Sequence, residues 1–400
     1  MDSFVARQPI FDIRKKIYAY ELLFRSGHTN AFPDIDGNTA TSNVLSSSFF
    51  TVGIEKICSG RLAFINFPES LLLKGTPAFF PREKLTVEIL EDVKASKEVV
   101  AKCRELKKSG YQLALDDFVW NSDLTELLEL ADIIKFDVRL TPFDELEQIL
   151  PLVGKYNCRL LAEKIETEEE FQQAVKMGFD YFQGYFFAHP EILKNRELQG
   201  SQLGILRLLS KINATEFDMD EIETLVSQDV AVSYKLLNYL NSARFSRITL
   251  VSSIRQAIAF LGEQEFRTFI SILATSCLNK NKPEELMRMS IIRARFLEQL
   301  GKATGSQKEE LLLLGLFSLI DAMLDQKMED IVSKLSLSQS LEDALINQQG
   351  KLAPWLRLVE SYERGNWVPF RFAQKRIAVN SETITRTYLE AISWADSFSA

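Results

Sequence analysis

The chain has 400 residues, 46% of them hydrophobic, enough for two or three domains with ordinary cores. Its net charge of −8 argues against a general nucleic-acid binder. Cys58, Cys103, Cys158 and Cys277 are scattered with no Cys-x-x-Cys pair, which excludes a zinc ribbon or finger and suits a reducing compartment.

The N-terminal stretch carries Asp2 and Arg7 and lacks the apolar core of a signal peptide. The longest wholly apolar or Gly/Ser run, Leu311–Ile320, is too short to span a bilayer. A cytoplasmic protein with no membrane segment is expected.

Up to about residue 195, short apolar runs alternate with amphipathic helical stretches. The runs are Ile17–Phe24, Leu62–Phe67, Leu85–Leu90, Tyr111–Leu115, Ile133–Phe136, Arg159–Ala162 and Tyr181–Phe187. Helices are predicted over Ala95–Lys108, Leu124–Leu130, Phe143–Tyr156 and Glu168–Met177. Strand and helix repeated this often mean a parallel sheet, which about 190 residues can close into a barrel. Polar groups stand at or just after these runs: Glu21 with Arg25, Asn66, Glu88 with Glu91, Asp116 with Asp117, Lys135 with Asp137, Glu163 with Glu166, and Gln183. In a parallel barrel these run ends share one face, where active sites sit. Adjacent carboxylates such as Asp116 and Asp117 can bridge two divalent metals, or Asp116 can simply cap the turn into a surface helix. Hard oxygen ligands without histidine or thiol suit magnesium or manganese.

At these residues the chain resembles the EAL domain, the cyclic di-GMP phosphodiesterase family. Gln8-Pro9-Ile10 and Glu21-Leu22-Leu23-Phe24-Arg25 are similar to its opening. Ile65-Asn66-Phe67, Val87-Glu88-Ile89-Leu90-Glu91, Asp116-Asp117-Phe118, Ile134-Lys135-Phe136-Asp137, Ala162-Glu163-Lys164-Ile165-Glu166 and Gln183-Gly184-Tyr185-Phe186-Phe187 follow in the family's order. The resemblance implies a TIM-type barrel, often with one strand reversed, that hydrolyses cyclic di-GMP to linear pGpG with two Mg2+ or Mn2+ ions. It implies Glu21, Asn66, Glu88 and Asp116 at the first metal, and Asp116, Asp117 and Glu163 at the second. Lys135, Glu163 and Gln183 would be catalytic, Gln8 and Arg25 would meet the substrate, and Glu91 and Glu166 would brace the loop after the Asp-Asp pair.

The sequence also departs from that pattern. The Gly-rich loop of active members is replaced by Val119-Trp120-Asn121-Ser122-Asp123, and a β-branched residue resists the φ > 0 geometry that glycine allows. Lys164 stands where the family has glycine, Leu22 replaces the alanine of the name motif, and Ser26–Ser48 does not match the usual substrate-side loop. A weakly catalytic or non-catalytic site is expected, serving as regulatory scaffold or receptor in cyclic di-GMP signalling; the alternative is a metal-dependent phosphodiesterase.

His189-Pro190 ends the barrel-like region, placing a first domain over 1–195 and a second over 200–400. The second is nearly all helical, with helices predicted over Gln202–Asn213, Asp218–Ser227, Val230–Asn241, Val251–Leu261, Glu263–Leu273, Pro283–Ala303, Lys308–Leu324 and Thr383–Ala395. Leu225–Ala243 and Val251–Gly262 resemble the HDOD domain, a helical relative of the His-Asp phosphohydrolases that lacks their metal ligands. The chain's two histidines, His28 and His189, both precede this half, so no His-Asp metal site can be built there. The resemblance implies an interaction module for a signalling partner, with no metal, and leaves a homodimer open. Tyr362-Glu363-Arg364-Gly365-Asn366-Trp367 interrupts the helical pattern at Gly365, and Trp355, Trp367 and Trp394 are read as core or domain-interface fillers.

Overall fold

The computed structural model describes residues 3–26, 54–190, 198–214, 216–240, 253–279, 282–306 and 308–396. Eight strands close a barrel: β1 (Ser3–Asp12), β2 (Ile17–Ser26), β3 (Leu62–Phe67), β4 (Leu85–Ile89), β5 (Gln112–Leu115), β6 (Ile133–Asp137), β7 (Arg159–Glu163) and β8 (Tyr181–Gln183). β2 to β8 run parallel, whereas β1 is antiparallel to both of its neighbours, β2 and β8. β1 is the strand that apolar patterning misses, because Arg7, Gln8 and Pro9 interrupt its alternation. β8 is shorter than its apolar run. The chain leaves it at Gly184, where φ is +145° and a Cβ would lie 2.0 Å from the Ile165 carbonyl oxygen.

The helices between strands follow their sequence signals. Ser96 caps Lys97–Lys108 by accepting from the Val99 N–H, and Thr167 caps Glu168–Lys176 by accepting from Glu170. Inside the barrel, Ala19, Phe64, Ala114, Ile133, Leu161 and Tyr181 pack with Ile10 as one apolar layer. Side chains two residues apart on a strand face the same way. The next inward position after each of those six is therefore Glu21, Asn66, Asp116, Lys135, Glu163 and Gln183. On the reversed β1 the corresponding step back from Ile10 reaches Gln8. A polar layer thus sits directly on an apolar one at the C-terminal end of the parallel strands.

The chain divides into two compact units, Met1–Phe187 with Arg357–Ala400, and Ala188–Leu356. This differs from the expected division, in which everything after residue 200 forms one helical domain. Residues beyond 356 belong with the barrel because an aromatic cluster ties them to β1. Phe4 is 1% exposed and packs on Tyr362, Trp367 and Phe370 at centroid distances of 6.1, 5.6 and 4.9 Å. The second unit is all helical, with a core that includes Leu206, Leu209, Phe266, Ile270, Phe296 and Leu311. The helix expected over Lys308–Leu324 is two, Lys308–Phe317 and Ile320–Leu324. No described helix is long and apolar enough to cross a membrane.

Candidate active site

Lys135 organises the barrel mouth. It enters from β6, is fully buried, and points its ammonium into a ring of acids. Its Nζ lies 2.6 Å from Glu88 Oε1, 2.6 Å from Asp116 Oδ1, 2.8 Å from Glu163 Oε1 and 3.8 Å from Glu21 Oε2. Burial alone would pull the lysine down, but Asp116, Glu163, Glu21 and Glu88 outweigh it and hold it well above its usual range.

The acids respond in the opposite sense. Burial pushes Glu88 and Glu163 well above the ordinary carboxyl range, with Lys135 offsetting part of the effect. Asp117 is raised by burial and by its neighbour Asp116, with Lys164 acting the other way. Five carboxyl groups, from Glu21, Glu88, Asp116, Asp117 and Glu163, share one inner ammonium, and such crowding is relieved by protons or by cations.

Two amides complete the ring. Asn66 Nδ2 donates to Glu21 Oε1 at 3.1 Å, and Gln183 Nε2 donates to Glu21 Oε2 at 2.6 Å and to Gln8 Oε1 at 2.9 Å. With their NH2 groups committed, the buried carbonyl oxygens Asn66 Oδ1 and Gln183 Oε1 are left without a hydrogen-bond donor, as is Glu88 Oε2. Buried acceptors beside a carboxylate ring suit a bound cation. Asp116, Asp117 and Glu163 also bring one oxygen each within 4.8 Å of one another. The residues therefore fit hard divalent cations, both around Glu21, Asn66, Glu88 and Asp116 and around Asp116, Asp117 and Glu163.

The backbone explains how the pair at the end of β5 is presented. Asp116 donates its N–H to the Ile89 carbonyl, continuing the ladder, and Phe118 donates to the Lys135 carbonyl. Between them Asp117 has φ +39°, a left-handed turn that aspartate tolerates better than most residues. The positive φ thus falls on the acid itself, not on Val119 or Trp120. Val119–Asp123 leads into a 3-10 turn, Ser122–Leu124, capped by Asn121 Oδ1 accepting from the Asp123 N–H at 2.9 Å.

Lys164, at the family's glycine position, has φ +57°, and its ammonium pairs with the buried Asp137 carboxylate. Glu91 is exposed in the turn after β4 and makes no hydrogen bond or ion pair with a described residue. Glu166 is also exposed, 3.8 Å from the Arg139 guanidinium. Among the described residues, neither makes a hydrogen bond or ion pair with Val119–Asp123. Arg25 lies in β2 opposite Phe4, and its side chain falls outside the described residues, as do residues 27–53 with most of the Ser26–Ser48 segment.

Sequence reasoning missed one contributor. Gln8 Nε2 donates to the backbone carbonyl of Glu363 at 3.2 Å, so the chain's last helices reach the site. Gly365, breaking a helical pattern, was the available signal.

Comparison with known proteins agrees with this architecture. The EAL domain family matches residues 66–190 and the HDOD domain family residues 204–349. The chain is 36% identical to the uncharacterized protein YuxH of Bacillus subtilis, over 98% of both chains. It is 35% identical to the cyclic di-GMP phosphodiesterase CdgJ of Vibrio cholerae, over 98% of this chain and 92% of that one. Among solved structures, the Bacillus subtilis YkuI protein, with an EAL domain and in complex with substrate c-di-GMP and calcium, is 22% identical with a TM-score of 0.36, covering 66% of this chain and 72% of that one. With its eight-stranded barrel, its helical second unit and full-length relatives at this identity, the chain belongs to the family of proteins that join an EAL domain to an HDOD domain.

Proposed function

We propose that the protein acts in cyclic di-GMP signalling as a metal-dependent phosphodiesterase that opens the cyclic dinucleotide to linear pGpG. The observation that carries this reading is the convergence of Glu21, Asn66, Glu88, Asp116, Glu163 and Lys135 on one ring with buried oxygens left unfilled. CdgJ, aligned over nearly the whole chain, carries that activity in its name.

Glu21, Asn66, Glu88, Asp116, Asp117 and Glu163 would hold Mg2+ or Mn2+, which supply a water of lowered pKa and positive charge at the phosphodiester. Lys135 donates to Asp116 within the ring of acids, and would orient the attacking water at the reacting centre. Gln183 fixes Glu21 through its amide and leaves its own carbonyl facing the mouth. One water adds across one 3′–5′ phosphodiester: its oxygen bonds to phosphorus, the bond to the 3′ oxygen breaks, and that oxygen takes up a proton.

The regulatory receptor reading rests on Lys164, Leu22 and Ser26–Ser48, and above all on Val119–Asp123, which lacks glycine. The ordered turn there and the left-handed Asp117 weaken that objection. The HDOD unit then serves as the contact surface for a signalling partner.

Purified protein with Mn2+ or Mg2+ is expected to convert cyclic di-GMP to pGpG, and Glu21→Ala to lower kcat at least about 100-fold, since Glu21 is both ligand and amide anchor. Tight cyclic di-GMP binding by wild type with no turnover would favour the receptor; turnover unaffected by Glu21→Ala would place the chemistry elsewhere.

A further inference from the structure

Tyr362–Trp367 has no part in the chemistry above, yet it is fastened to the strands that carry Gln8, Glu21 and Gln183. Tyr362 Oη donates to the Val5 carbonyl at 2.8 Å, deep in the interior. The Glu363 carbonyl accepts from Gln8 Nε2 at 3.2 Å. The Arg364 guanidinium lies 4.5 Å over the ring of Tyr185, two residues beyond Gln183. Gly365 has φ +63°, and a Cβ there would stand 2.7 Å from Leu23 Cδ1 on β2. Trp367 stacks on Phe4. Five near-consecutive residues thus grip β1, β2 and the turn after β8.

The Glu363 carbonyl is the outer end of a hydrogen-bonded chain. Gln8 donates to that carbonyl and accepts from Gln183 Nε2, and the same Gln183 nitrogen donates to Glu21 Oε2. Gln8 is an amide used at both ends, so its orientation is set by the carbonyl beyond it, and Gln183 inherits that orientation. Turning Gln8 over would oppose two donors and break the chain.

We propose that Tyr362–Trp367 is a positioning element of the metal site, acting through Gln8 and Gln183 to hold the Glu21 carboxylate in its ligating orientation. The segment follows the helical unit in sequence but belongs to the compact unit of the barrel, and the helix Ala353–Glu363 that delivers it begins within the helical unit. This inference rests on the metal-dependent reading of the same mouth.

The test measures Mn2+ affinity by titration calorimetry on full-length protein, alongside kcat, KM and melting temperature. Gln8→Met keeps the volume and removes both hydrogen bonds. Arg364→Ala removes an exposed side chain that touches no ligand, and it guards against misfolding of the Gln8 variant. Removing an outer-shell partner typically costs about 10- to 100-fold in metal affinity or activity. Gln8→Met is expected to weaken Mn2+ about 10-fold and lower kcat with KM little changed, and Arg364→Ala to move both the same way by about 3-fold. Melting temperatures of the metal-free variants should stay near wild type. Mn2+ affinities within twofold of wild type in both variants would overturn the proposal. If wild type binds Mn2+ without turnover, the phosphodiesterase reading fails alone and the affinities still decide this one. If it binds no Mn2+, both fall.

Discussion

Lys135 offsets the charge of the acids that ring the barrel mouth. An ammonium buried among Glu88, Asp116 and Glu163 at 2.6–2.8 Å is held by their negative charge, and losing it would leave those acids buried without a cation. Lys135→Met preserves the stem and removes the charge. In EDTA it is expected to destabilise the protein by about 3–5 kcal/mol, as removing one partner of a buried ion pair does. Mn2+ should restore part of that loss. Urea titrations with and without the metal check this; equal midpoints for wild type and variant in EDTA would show that the acids are satisfied by protons instead. These residues were named through the resemblance of the motifs that carry them, Val87-Glu88-Ile89, Asp116-Asp117-Phe118 and Ile134-Lys135-Phe136 among them. Their separations were not, since distances of this kind come from strand stagger.

The last helix, Ser381–Asp396, buries Ile384, Tyr388 and Ile392 and adds a few polar contacts at its end. Arg7 Nη1 donates to Ser59 Oγ at 3.3 Å, and Ser59 Oγ donates to Asp396 Oδ2 at 3.0 Å. Burial raises the Asp396 carboxyl above its ordinary value of 3.8, while Ser59 and Arg7 offset only part of the effect. A raised folded-state value means that the native protein holds this proton more tightly than the unfolded chain does. The resulting stabilisation is therefore present below pH 3.8 and is lost as pH rises through the folded value. Asp396→Asn is expected to match wild type near pH 3.5 and to gain relative stability toward neutral pH. Urea midpoints across that range decide it, and a constant difference would mean that the group is solvated. The turn elements teach a related lesson. Lys164 looks like a defect beside the family's glycine, but its ammonium answers the buried Asp137, a pairing set by the parallel register of β6 and β7.

The division into units has a consequence for the whole molecule. Since Phe4 is sealed by Tyr362, Trp367 and Phe370, a chain ending at residue 356 would leave Phe4, at the start of β1, uncovered. Residues 1–356 are expected to aggregate or to lose the barrel's cooperative melting transition, whereas 188–356 should keep its helical circular dichroism. A sharp barrel transition in 1–356 would show that the C-terminal segment is dispensable for folding. Metal content measured on 188–356 should be nil, because its one histidine, His189, cannot by itself build a His-Asp site.

Alternating apolar runs, helix caps and the order of the Glu, Asn, Asp and Lys motifs carry the barrel, the helical unit and the site's membership, because periodicity and side-chain chemistry are local properties of a chain. β1 escaped, since Pro9 and its polar neighbours hide a strand that pairs with β2 and, on closure, with β8. The return of Tyr362–Trp367 to that strand escaped as well. A contact between residues more than 350 positions apart, such as Gln8 with Glu363, leaves no periodic trace and exists only once the helices have packed.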